Sequence, residues 1–299
     1  MLVRNGSRQS NASPSSSAPQ RWRGATVFAA LSLFSLGGCL LTTSFAGLTG
    51  AGATLADGGP DPVGGDTSEP VDVVTSDASQ EAGATAYRAA VLADGPLGYW
   101  RLGASALSEG AMDETKNAHA GVLSSGLSLG LPGAIAGDPD TAVGFRASGG
   151  QVTIGDLFRF AGTAAFSIEA WVQPAPTGAY LAVLARHAGP DGYVLFIDPG
   201  GKVSFERQGT SVFGPRLDTA AFSHVVTTYD GTSLRLYIDG VSADGPTPSG
   251  SITGSASSFL LGNDNDGDLF KGVLDEVAVY DHALTEARIA AHYGIGRGH

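Results

Sequence analysis

One cysteine and two methionines are all the sulfur in 299 residues, and Lys and Arg together number 17 against 29 acids. A single thiol excludes an internal disulfide and a cysteine-rich zinc cage, so stability must come from core packing. The shortage of base gives a formal charge of −12 at pH 7. Residues 1–38 carry Arg4, Arg8, Arg21 and Arg23 without an acid, so the rest of the chain is more acidic still. Such a surface disfavours the nucleic-acid backbone. Long apolar runs are missing too: Ala25 to Leu36 is too short for a comfortable membrane span. No His-Glu-x-x-His pair and no phosphate-cradling glycine loop ending in Lys-Ser or Lys-Thr occurs. The histidines His119, His187, His224, His282, His292 and His299 stand in unrelated contexts and read as surface residues.

What is abundant is glycine, 44 residues, with 15 prolines. Short apolar runs bounded by Gly, Asp or Pro favour strands and turns over long helices, and the fold class expected is all-β. Composition divides the chain in three: a leader over 1–38, a tether over 39–83 and one folded domain over 84–299. Arg21, Trp22 and Arg23 flank the apolar run like a signal peptide. The run closes on Leu36-Gly37-Gly38-Cys39, which resembles the bacterial lipoprotein signal. That resemblance implies cleavage before Cys39, acylation there, and anchoring to the cell envelope, with the outer membrane or cell surface as the expected destination. From Gly47 to about Gly83 the chain is Gly, Ala, Pro, Thr, Ser and acid, without Lys or Arg. It reads as a disordered, self-repelling spacer with a reach on the order of 30 Å.

Within the domain, helices are expected at Ala84–Ala93 and Leu284–Tyr293, the second N-capped by Thr285 and stopped by Gly294. Strands are expected at Tyr99–Leu102, Ala142–Phe145, Gln151–Ile154, Ala165–Gln173, Tyr180–His187, Gly192–Asp198, Lys202–Arg207, His224–Tyr229, Ser233–Ile238, Ser258–Leu261 and Gly272–Tyr280. That spacing, without βαβ alternation, predicts a two-sheet antiparallel sandwich. Period-2 alternation sends Phe166, Ile168, Ala170 and Val172 to the core and Ser167, Glu169, Trp171 and Gln173 to the other face. Leu234, Leu236 and Ile238 likewise point inward, Arg235 and Tyr237 outward.

Several stretches carry a family resemblance. Ala90 to Leu102 (AVLADGPLGYWRL), Phe166 to Pro174 (FSIEAWVQP), His224 to Gly231 (HVVTTYDG), Leu236 to Gly240 (LYIDG) and Phe270 to Tyr280 (FKGVLDEVAVY), followed by Ala283-Leu284-Thr285, look like the laminin-G-like group of the concanavalin A-like lectin/glucanase superfamily. The resemblance runs in order over 84–295 and implies a jelly roll whose relatives mostly bind glycans or proteins. It also suggests calcium, with Asp113, Asn117 and Asp275 as candidate ligands, although the Ser-Gly of the family's Asp-x-Ser-Gly-Asn turn is absent here; the other reading of Asp113 is a capped surface turn. The loop Asn263-Asp264-Asn265-Asp266-Gly267-Asp268 does not meet EF-hand spacing and reads as an acidic hairpin tip.

A retaining glycosidase needs two carboxyls roughly 5 Å apart. No Glu-x-Asp-x-x-Glu run supplies them, and Asp275 and Glu276, being adjacent, are expected on opposite faces. A glycan site needs an aromatic platform with planar polar groups, for which Glu169, Trp171, Arg235 and Tyr237 are the candidates; the competing reading packs Trp171 under a neighbouring loop. The function expected is therefore non-catalytic recognition of a polysaccharide or surface protein. A glycan hydrolase or lyase with an unrecognised carboxylate pair, or a structural envelope protein, are the alternatives.

Overall fold

The computed structural model describes residues 86–146, 149–176 and 178–299, so the leader, Cys39 and the tether lie outside the described residues. The described part is two antiparallel sheets face to face, with a helix contributed by each end of the domain.

The first sheet has eight strands: β1 (Gly98–Trp100), β3 (Leu127–Pro132), β4 (Thr141–Phe145), β6 (Phe166–Pro174), β11 (Ser223–Tyr229), β12 (Ser233–Ile238), β13 (Val241–Pro248) and β15 (Gly272–Tyr280). Their order is β13-β12-β11-β6-β15-β4-β3, with β1 paired to β15. The second has seven: β2 (Val122–Leu123), β5 (Val152–Gly155), β7 (Leu181–Ala188), β8 (Asp191–Ile197), β9 (Lys202–Arg207), β10 (Thr210–Arg216) and β14 (Phe259–Leu261), in the order β10-β9-β8-β7-β14-β5-β2. The jelly-roll sandwich expected from the sequence is what is found. The strands that the sequence did not disclose, β2, β3, β10 and β13, are all edges. Pro132, Pro215, Pro246 and Pro248 cannot donate to a ladder and are tolerated only where one side of the strand is unpaired.

Between the sheets lies the main core. Phe166, Ile168, Ala170 and Val172 of β6 meet Tyr193, Leu195 and Ile197 of β8 and Phe205 of β9, as alternation required. Leu234 and Leu236 join them, and Ile238 packs at the margin. Helix α1 spans 86–93 and ends where Gly95 takes φ +67°, a left-handed stop that glycine adopts without a Cβ penalty. Helix α2 (Glu286–Gly296) begins at Thr285, whose hydroxyl accepts the Arg288 N–H. The expected stop at Gly294 is corrected: the helix runs through it to Gly296. Gly296 fits because a Cβ there would stand 2.4 Å from Trp171 Cζ2, so that close approach requires glycine.

Candidate functional site

The outward face of β6 is not open. Both helices lie over it, and Tyr87, Val91, Tyr99, Trp171, Val226, Tyr237, Tyr280 and Ile289 form a second buried layer. Glu169 and Trp171 are both 0 % exposed. The groove expected around them is thus a closed seam, because the apolar stripes of α1 and α2 need a surface to cover and this face supplies it. Trp171 donates its indole N–H to Tyr87 Oη at 2.8 Å, and its ring lies 5.0 Å from that of His224 and 6.0 Å from that of Tyr293. The expectation that the histidines are surface residues is also corrected, since His224 and His292 are fully buried.

Glu169 is the hub of the seam. It accepts from Tyr87 Oη (2.8 Å), Tyr280 Oη (2.9 Å), His224 Nε2 (2.8 Å) and His292 Nδ1 (3.0 Å). His292 Nε2 reaches Asp94 at 3.1 Å, so one imidazole bridges two carboxylates, and Asp94 is also held by Arg288. Burial pushes the Glu169 carboxyl up, but His292 and His224 outweigh it and hold it well below the usual range. Burial opposes charge on His292, but Glu169 prevails and raises it. A buried carboxylate with this many donors is a structural clasp joining sheet, α1 and α2.

The other expected site residues separate. Arg235 is tied to Asp230 at 2.7 Å in the β11–β12 turn, and Tyr237 is buried beneath Glu286 of α2. Asp113 Oδ1 accepts from the backbone of Tyr99 and Thr115, and Oδ2 from Thr115 Oγ1 and the His119 N–H. Those four donors fill the carboxylate. Asn117 donates to the Leu97 carbonyl, and Asp275 is bound by the N–H groups of Ala134 and Glu276. These three residues do not fit a shared calcium ion; Asp113 caps a turn.

Asp275 and Glu276 are not on opposite faces. β15 bulges between Asp275 and Ala278, with Glu276 at φ +51°, and the extra residue breaks the alternation. Leu274 and Val277 stay in the main core, while Asp275 pairs in register with outward Trp171 and Glu276 bonds Tyr99 Oη and Arg101. Burial, then the adjacent Glu276, lift the Asp275 carboxyl well above its ordinary range; burial lifts Glu276 to about 7. Arg101 also pairs with Asp138 and Asp140, and one side of it lines a groove of about 200 Å³ with Leu102, Glu109, Met112 and Asp140. Of the acids that line the groove, Asp140 is paired with Arg101, Glu109 accepts from Ser105 and Glu114 pairs with Arg88, while Asp275 and Glu276 are buried. The run Gly126-Leu127-Ser128-Leu129-Gly130 has the spacing of a nucleophile elbow, a match the sequence reading passed over. Ser128 instead sits in β3, an edge strand with no helix after it, and accepts from Arg146.

The second sheet presents the other outer face. There Ala182, Ala185 and Val194 are buried in a small cluster with the half-buried Phe196 packed against it. The Tyr180 and Phe196 rings, 5.9 Å apart, stand at one end and His187 at the other, a strip about 20 Å long at ordinary strand rise. Thr153 of β5 stands across Leu260 of β14 from Ala185, and it is linked to Gln151 and Asn263 by Asn263 Nδ2 to Gln151 Oε1 and Gln151 Nε2 to Thr153 Oγ1. Neither described helix covers the strip. This partly exposed aromatic pair beside planar amides escaped the sequence reading, although alternation from Leu181 and Tyr193 would have placed Phe196 outward.

Residues 146–290 match a laminin G family model described as the concanavalin A-like lectin/glucanases superfamily. This stretch is a laminin-G-like domain. Among solved structures, domain 4 of AbnA, a GH43 extracellular arabinanase from Geobacillus stearothermophilus solved with arabinotriose, is 19% identical with a TM-score of 0.52, covering 66% of this chain and 98% of that one. The binding domain of Paraclostridial Mosquitocidal Protein 1 is 15% identical with a TM-score of 0.53 over 65% of this chain, about half of its own length (51%). Trypanosoma rangeli sialidase is 15% identical with a TM-score of 0.51 over 67% of this chain and 32% of its own. At these identities the likeness is one of fold. No curated protein matches the sequence.

Proposed function

We propose that the domain is a non-catalytic recognition module that binds carbohydrate on the outer face of the seven-stranded sheet. The observation that carries this reading is the asymmetry of the two faces. The Glu169 face is closed by helices, whereas the Tyr180–Phe196 face offers rings for sugar CH groups and neutral amides for hydroxyls. The acidic chain favours a neutral glycan over an anionic one. Support also comes from AbnA domain 4, a piece of an enzyme of about this length that was solved with arabinotriose.

The amino-terminal signal fits a lipid-anchored protein of the bacterial envelope, with Cys39 as the acylated residue and the acidic segment as a spacer that holds the domain off the membrane. Among the described residues no helix is long and apolar enough to cross a membrane. Palmitate label that disappears in Cys39→Ala supports the anchor; label that persists refutes it.

The test is retention on a panel of neutral polysaccharides, with reducing ends followed over time. Retention without cleavage supports the reading. Cleavage that vanishes in Glu276→Gln would replace it with the hydrolase reading, since Glu276 and Asp275 are the close carboxyl pair that the bulge brings to one side.

A further inference from the structure

We infer that His187, Asp264 and Asp266 form a binding site for a divalent transition metal of the zinc type. The three come from two separate stretches, the end of β7 and the loop between β14 and β15. One ligand atom from each lies within 4.8 Å of the others. His187 Nδ1 is sealed from solvent and makes no hydrogen bond, although Asp266 Oδ2 stands only 3.2 Å away. A buried ring nitrogen facing a carboxylate without hydrogen-bonding geometry lacks a partner, and a cation between them would provide one.

The geometry fits a small ion. Ligands about 2.0 Å from a tetrahedral zinc are roughly 3.3 Å apart, the separation already held by His187 Nδ1 and Asp266 Oδ2. Asp264 has to close the remaining gap. Its Oδ1 anchors the loop by accepting the N–H groups of Asp266 and Asp268, and Asp266 Oδ2 also accepts the Gly189 N–H at 3.2 Å. Asn265 donates from its amide to the His187 carbonyl, so loop and strand end are already joined around the site. One imidazole with two carboxylates is a mixed nitrogen and oxygen set, which suits zinc and its neighbours. Calcium asks for 6–8 oxygens. Water would complete the coordination. The site stands at the end of the β7 strip opposite Tyr180, and the inference does not depend on what that strip binds.

The experiment is calorimetric titration of the full chain, in a Cys39→Ala background so that the lone thiol does not compete, with zinc chloride and separately with calcium chloride. The expected result is one zinc per chain, no calcium heat at the same concentration, and affinity weakened by about tenfold or more in both His187→Ala and Asp266→Asn. His282→Ala, which alters an exposed histidine elsewhere, should bind as the parent does. Far-UV circular dichroism identifies any variant that fails to fold. Where His187→Ala or Asp266→Asn fails to fold, the more conservative His187→Gln and Asp264→Asn take their place, with the same loss of zinc affinity expected. Zinc affinity unchanged in a folded His187 variant, or calcium bound as well as zinc, would overturn the inference.

Discussion

Replacing Glu169 with alanine should be among the most damaging single changes in the domain. The carboxylate accepts from two tyrosines and two histidines in a fully buried seam, so its loss strands four donors and leaves His292 opposite Asp94 alone. Removing one partner of a buried charged pair costs about 3–5 kcal/mol, and each orphaned donor costs about 1–3 kcal/mol before relaxation or water entry reduces it. A net loss of about 4 kcal/mol is expected in urea unfolding of Glu169→Ala at pH 6. Glu169→Gln keeps the shape and one acceptor, and should lose less. The clasp also has a pH signature. Glu169 is held below its ordinary 4.5, so its contribution is present above about 4.5 and fades as pH falls. His292 is raised above its ordinary 6.5, so its contribution is full below about 6.5 and fades as pH rises through the raised value. Stability supplied by the pair should therefore peak between those limits, and that peak should flatten in Glu169→Gln. A loss below about 1 kcal/mol in Glu169→Ala, or an unchanged pH profile in Glu169→Gln, would refute the clasp.

Further outcomes follow from the same packing. Trp171→Ala should cost about 3–5 kcal/mol in chemical unfolding while leaving polysaccharide affinity of the folded protein unchanged, since the ring is enclosed. Gly296→Ala should lower stability by about 1–3 kcal/mol, because the new methyl meets the Trp171 ring, and Trp171→Phe should recover part of that loss. Asp275 and Glu276 are both raised, so they favour the fold while protonated and oppose it as pH climbs past the usual carboxylate range. Glu276→Gln should therefore lessen the decline in stability between about pH 4.5 and 7, as read by thermal melts across pH.

Alternation along β6 and β12 was legible because each strand is central, regular and apolar on one side only; Phe166, Ile168, Leu234 and Leu236 went where period 2 required. It failed at Glu276, where a bulge inserts a residue that sequence spacing does not announce. It was silent on β10 and β13, whose glycines and prolines imitate loops. Both helices were legible, yet not what they cover. The stripes Tyr87 and Val91 on α1, and Ile289 and His292 on α2, were the available signal. An apolar helix face needs a mate, and the outward set Glu169 and Trp171 was its complement. The partly polar composition of that set imitated a binding groove. Asp113 read as a ligand because its oxygens attract donors, and those donors proved to be the chain's own backbone and Thr115.

The most direct measurement is residue-level mapping of a retained oligosaccharide by amide chemical shifts. The account predicts perturbations over Leu181–Ala188 and Asp191–Ile197 of the seven-stranded sheet, lost in Phe196→Ala. Perturbations centred on Arg101, Asp140 and Glu276 instead would contradict it and place recognition at the acid-lined groove.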